Sequence, residues 1–139
     1  MALQKKEYPI LEFDTDRNAV IEPHFFYEKT EPPRHCVITF FREAIEKKCA
    51  EGALTPIAEL RSEMMSIPVY ETVCEGTRIC LVQGFVGAAG AAAILEELIA
   101  FGCDRFMVCG GAGVLRPAIG VGHLIVPQGA VWDEGVSYH

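Results

Sequence analysis

The most constraining feature of this chain is a strand, glycine-rich turn, helix and strand in succession between Arg78 and Gly113. Arg78 to Gln83 (RICLVQ) is apolar and strand-like, and it enters GFVGAAG. That loop opens an Ala- and Leu-rich helix predicted from about Ala88 to Phe101, which Gly102 closes. Arg105 to Cys109 then reads as another strand, ending in Gly110-Gly111-Ala112-Gly113. A βαβ unit of this kind favours an α/β fold with a largely parallel sheet.

The flanking segments are read around that unit. Residues 1–34 are polar and interrupted by Pro9, Pro23, Pro32 and Pro33, so they are expected to form an extended arm with at most a short edge strand. CVITFF (Cys36 to Phe41) is β-branched and aromatic, a buried strand. Arg42 to Glu51 spaces Ile45 and Cys49 four apart before Gly52, a short amphipathic helix. Pro56 to Met65 reads as a second helix, with Pro56 in its first turn and Pro68 past its end. Val69 to Cys74 and Arg78 to Gln83, joined by Glu75-Gly76-Thr77, form a predicted hairpin. A last strand is expected from His123 to Pro127, extending towards Val131.

Composition narrows the function classes. Half of the 139 residues are hydrophobic (50%), 22% are charged, and mean hydropathy is +0.22, which argues against disorder. Twelve basic residues against nineteen acidic ones give a net charge of -7 and a pI near 5.0. A nucleic-acid surface needs clustered Lys and Arg, and the only adjacent pairs are Lys5-Lys6 and Lys47-Lys48. No nucleic acid and no membrane are expected as partners. The longest apolar run, Gly84 to Leu95, falls short of the roughly 20 residues of a membrane helix. MALQKKEYPILEFD meets acidic residues before any long apolar core, so a secretory signal is not expected and the location is read as cytoplasmic.

The six cysteines, 36, 49, 74, 80, 103 and 109, include no C-x-x-C, and His24, His35, His123 and His139 show no metal-ligand spacing. Cys36, Cys74, Cys80 and Cys109 lie in apolar strand-like runs. Buried reduced thiols are expected, with no metal.

In open α/β sheets, ligands bind beyond the carboxyl ends of the strands. Three segments should reach that edge: Gly84 to Gly90, Gly110 to Gly113, and Val131 to His139. Glycines there let backbone N–H groups approach an anion, and a following helix N-terminus adds a favourable dipole. The same glycines also serve close helix–strand packing and tight turns, so one loop alone decides nothing. Two on neighbouring strand ends favour an anion or sugar pocket. A dinucleotide site fits poorly, because the first loop reads G-x-x-G-x-x-G and Asp104 stands at the wrong end of its strand. A Walker loop is excluded, since no Gly-Lys-Ser/Thr comes after these glycines.

Four phrases in order carry a family resemblance: the glycine loop before LEELIAFG, the turn GGAGVL, IGVGHLIVP, and A-V-x-D-E-G-x-S-Y-H. From Cys80 to His139, and more loosely from Cys36, the chain resembles the purine nucleoside and uridine phosphorylase family, which includes nucleoside hydrolases acting on methylthioadenosine. The resemblance implies a phosphorylase/hydrolase-like α/β sandwich around a mixed, largely parallel sheet, and homo-oligomers. It implies cleavage of a nucleoside's N-glycosidic bond, with inorganic phosphate as co-substrate and no other cofactor. Carried over by position, Gly84, Gly87, Gly110, Gly111 and Ala112 correspond to the phosphate- and ribose-binding turns, and Tyr138 and His139 to one wall of the base pocket.

The departures are specific. Gly111 replaces the family's Ser or Thr, and Val108 stands where phosphorylases place a phosphate-gripping arginine. Where the family reads Gly-Asp-Pro-x-Arg, this chain has CVITFFREA, and Trp132 stands where relatives often carry an arginine. Arg42 and Arg116 are the candidate substitutes, because a guanidinium suits phosphate best. The family's ribose-holding Met-Glu pair and leaving-group Asp lie in a second half that is not in this chain, so no catalytic residue is assigned. Residues 35–139 are therefore expected to be the N-terminal half of one domain, apparently truncated, with an apolar sheet that should associate or be covered by further chain. The expected activity is phosphorolysis to a free base and pentose 1-phosphate. A hydrolase of the same family and a non-catalytic nucleoside- or phosphate-binding oligomeric module are the alternatives.

Overall fold

The structure, a computed structural model, describes residues 5–12, 14, 16, 18–27 and 31–136. Five strands form one sheet in the order β2-β3-β4-β1-β5: β1 (His35–Thr39), β2 (Thr55–Arg61), β3 (Ser66–Cys74), β4 (Thr77–Gln83) and β5 (Arg105–Cys109). Helix α1 (Arg42–Ala50) comes after β1, and α2 (Ala88–Phe101) links β4 to β5. The sheet is mixed, as expected. Its parallel part is β1 with β4 and β5, while β2–β3 and β3–β4 are antiparallel. The crossover through α2 imposes the parallel half, and short connections impose the antiparallel half.

The core lies between α2 and the sheet. Helix α2 presents Ile94, Leu98 and Phe101, spaced four and three apart on one stripe, to Cys36, Ile38, Val69 and Val82. Burial of a side chain such as Leu98 contributes about 1.5–3 kcal/mol. The β3–β4 hairpin closes through Glu75 and Gly76, both at positive φ (48° and 78°), the twist a two-residue hairpin prefers.

Two predicted elements are corrected. Pro56 to Met65 is not a helix: Thr55–Arg61 is the edge strand β2, and the turn after it has Ser62 N–H donating to the Met65 carbonyl at 3.0 Å. Pro56 is tolerated because β2 is an edge strand and its register with β3 shifts between Pro56 and Ala58. Pairing with β3 outweighs the local helical signals. The expected strand from His123 towards Val131 is also absent among the described residues. Leu124, Val126 and Val131 stay 98%, 86% and 96% exposed, because no neighbouring strand supplies a ladder there.

The described part of the arm holds two 3-10 turns, Pro9–Leu11 and Pro23–Phe26, and no strand. Its Tyr27 packs edge-on against Phe101 at 5.5 Å and donates its hydroxyl to Glu97. Burial and that carboxylate both push the Tyr27 phenol pKa up. Arg34 pairs with Asp104, tying the end of the arm to the start of β5.

Candidate functional site at the carboxyl edge of the sheet

Because β1, β4 and β5 run parallel, their carboxyl ends share one edge, and the two glycine loops leave from it. The sequence places these loops on neighbouring strands; in the fold they lie on either side of β1. Between them stands Phe40, the residue after β1. A Cβ on Gly84 would come within 2.9 Å of the Phe40 ring, and one on Gly110 within 2.9 Å of its other edge. A side chain at either glycine would force the Phe40 ring to shift. The ring itself is 37% exposed, so it forms part of the surface of this edge.

The backbone around the ring is already engaged. Gly84 N–H donates to the Thr39 carbonyl at 2.7 Å, Phe40 N–H donates to the Cys109 carbonyl at 3.0 Å, and Phe41 N–H donates to Thr39 Oγ1 at 3.2 Å. The first two bonds extend the parallel ladder past the strand ends. Gly84 thus reaches the site with its amide occupied. Gly111 differs: a Cβ there would meet nothing within 4 Å, and Gly111 and Ala112 are both exposed.

The loop Gly84 to Gly90 divides two clefts, with Phe85 and Val86 lining both. One, of about 650 Å³, is bordered by Arg42, Tyr70, Gln83 and Gly84. Among the described residues Arg42 is the only arginine lining it, although its Nε donates to Glu46 Oε1 at 2.7 Å across one helical turn. The other, of about 580 Å³, is bordered by Leu60, Met65, Gly87, Glu97, Glu134 and Val136. It brings the start of α2 beside the last described segment of the chain. Gly87 caps α2 at φ 107°, a conformation that favours glycine, and no side chain caps that helix end.

The predicted site residues are therefore only partly brought together. Gly84 and Gly87 belong to one loop between the clefts, and Gly110, Gly111 and Ala112 lie beyond Phe40. Arg116 is exposed in the segment after β5 and lines neither cleft. Val108, at the arginine position, is exposed. Tyr138 and His139 lie outside the described residues. Sequence reasoning misses Phe40 as a site residue, although CVITFFREA in place of Gly-Asp-Pro-x-Arg puts an aromatic residue at the end of β1. Among the described residues no group of His, Cys, Asp or Glu could hold a metal ion, and no helix is long and apolar enough to cross a membrane.

Comparison with known proteins adds the family. A sequence profile described as the phosphorylase superfamily matches residues 34–139. The chain is 30% identical over 80 residues to a guanosine phosphorylase of Halorubrum lacusprofundi, covering 58% of this chain and 33% of that protein. It is 36% identical over 63 residues to a uridine phosphorylase of Thermococcus kodakarensis, covering 45% of this chain and 23% of that protein. The matched segments thus span a third or less of these relatives.

Proposed function

The chain belongs to the phosphorylase superfamily, and on that premise we propose that it contributes the phosphate- and sugar-binding part of a nucleoside phosphorylase. The observation that carries this is the convergence of two glycine loops on one sheet edge, inside the segment the family profile covers. The reaction is nucleoside plus phosphate to free base plus pentose 1-phosphate. A phosphate oxygen attacks the anomeric carbon as the bond to the base breaks, through an oxocarbenium-like transition state.

Each group has a role in this reading. Gly87 and the uncapped start of α2 offer backbone N–H groups and a favourable dipole to an anion. Gly111 and Ala112 present open backbone on the other side of Phe40, and Gly84 shapes the turn between them. Arg42 supplies a cation from the cleft it shares with Gly84, once it leaves Glu46. The family resemblance assigns Tyr138 and His139 to binding the base. The protein acts as a homo-oligomer in the cytoplasm, on nucleoside and phosphate, with no cofactor. Residues 35–139 form part of one domain, preceded by the arm 1–34.

One observation favours a second reading, hydrolysis. The Phe40 ring occupies the gap between the loops, and the Gly84 amide already donates to Thr39. A phosphate between the loops would have to displace an apolar ring, whereas water needs far less room.

The test is base release from a panel of purine and pyrimidine nucleosides, with and without phosphate, using the complete reading frame. Phosphate-dependent release is expected. Phosphate-independent release transfers the assignment to the hydrolases, and no release from any nucleoside overturns both.

A further inference from the structure

At the opposite end of the same strands lie three thiols that the proposed reaction does not use. Cys36 on β1 and Cys80 on β4 are register partners, and Cys103 stands between α2 and β5. All three are free and buried, at 1%, 0% and 2% exposure. The Cys103 thiol donates to the Cys80 sulfur at 3.8 Å, and Cys36 is buried in the same core as both. Both Cys80 and Cys103 also direct their thiols at the Pro33 carbonyl, at 3.8 and 3.4 Å. The arm seals the cluster from outside: Pro33 is buried, and Pro32 lies so close to Gly102 that a Cβ there would come within 2.8 Å of it.

We propose that Cys80 and Cys103 are an oxidation site, forming a disulfide with a peroxide when the Pro32–Pro33 strap lifts. The two sulfurs stand 3.8 Å apart and must close to about 2.05 Å to form the bond. The three thiols lie together in the buried core, and their mutual influence distinguishes Cys103 from the other two. The neighbouring Cys36 and Cys80 thiols lower the Cys103 pKa against the cost of burial, while their own are pushed up.

In the first step the Cys103 thiolate attacks a peroxide oxygen. The S–O bond forms, the O–O bond breaks, and hydroxide leaves to take up a proton as water. In the second step the Cys80 sulfur, losing its proton, attacks the Cys103 sulfur. The S–S bond forms, the S–O bond breaks, and the second hydroxide departs as water with the Cys80 proton. Two thiols are oxidised and one hydrogen peroxide is reduced to two waters. The disulfide would tie the middle of β4 to the α2–β5 connection, enclosing the loop Gly84 to Gly90 and all of α2 in one covalent ring.

The test treats the full chain with hydrogen peroxide, alkylates remaining thiols and maps peptides by mass spectrometry without reduction. The expected result is a peptide pair linked through Cys80 and Cys103, with the loss of two alkylatable thiols and their recovery on reduction. The same pair should form faster in Arg34→Ala, which loosens the strap's tie to Asp104, and should persist in Cys36→Ala. Disulfides confined to the less buried Cys49, Cys74 and Cys109, a Cys36–Cys103 link in their place, or no linkage at all would overturn the assignment. An unchanged rate in Arg34→Ala would overturn the part given to the strap.

Discussion

The two ends of β1, β4 and β5 show how the same three strands can be closed at one end and open at the other. At the amino end, Cys36, Cys80 and Cys103 are almost fully buried, and the Cys80 and Cys103 thiols point at the Pro33 carbonyl. At the carboxyl end, Phe40 stands partly exposed between Gly84 and Gly110, and clefts of about 580 and 650 Å³ open on either side of the adjoining loop. The difference comes from the segments that flank the strands. The amino end is covered by an arm fixed through Arg34, Tyr27 and Pro32, whereas the carboxyl end gives onto glycine loops whose backbone cannot fill space. Closure supplies stability, and openness leaves room for the proposed site.

The largest test of that contrast lies on the element joining the two ends. Leu98, fully buried at the centre of α2, should cost about 2–5 kcal/mol when changed to Ala, read from urea unfolding. A loss below about 1 kcal/mol would mean that α2 does not weld the closed end to the sheet. A smaller effect belongs to the open end. Gly110→Val should cost about 1–3 kcal/mol through collision with the Phe40 ring, and Phe40→Ala should relieve part of it. A double-mutant cycle that proves additive would separate the ring from the loop.

The smallest effect is electrostatic and concerns the strap. The Arg34 hydrogen bond, with the charges of Arg34, Arg105 and His35 beside it, holds Asp104 below its usual 3.8. A carboxylate lowered in the folded state stabilises fully above its unfolded value and loses that contribution as pH falls below it. Asp104→Asn should therefore make stability slightly less sensitive to acidification below about 3.8, an effect that salt reduces because the pair is exposed. An equal acid response in both proteins would remove Arg34–Asp104 as a tie.

Legibility from sequence tracks the strength of local signals. α1, α2, β1, β4 and β5 are readable because periodicity, Gly52, Gly102 and the β-branched runs point the same way. β2 reads wrongly as a helix because a proline near the start and another beyond the end imitate helix boundaries, and only its ladder with β3 decides otherwise. The segment from His123 has the composition of a strand, but composition supplies no hydrogen-bonding neighbour. For the site, Gly84 and Gly110 are legible as glycines suited to an anion, while their packing against Phe40 depends on a strand end far from either in sequence.

By itself, the sequence determined the α/β class, the βαβ unit and the family, since these rest on periodicity and on motifs in order along the chain. Only the tertiary structure decided that β1 lies between β4 and β5, that Phe40 fills the gap between the glycine loops, and that three distant cysteines share one pocket. The physical reason is that strand order and side-chain contact are set by pairing between segments far apart in the chain. Local propensity states what each segment can form, and the free energy of burying those segments together selects which neighbours they form it with.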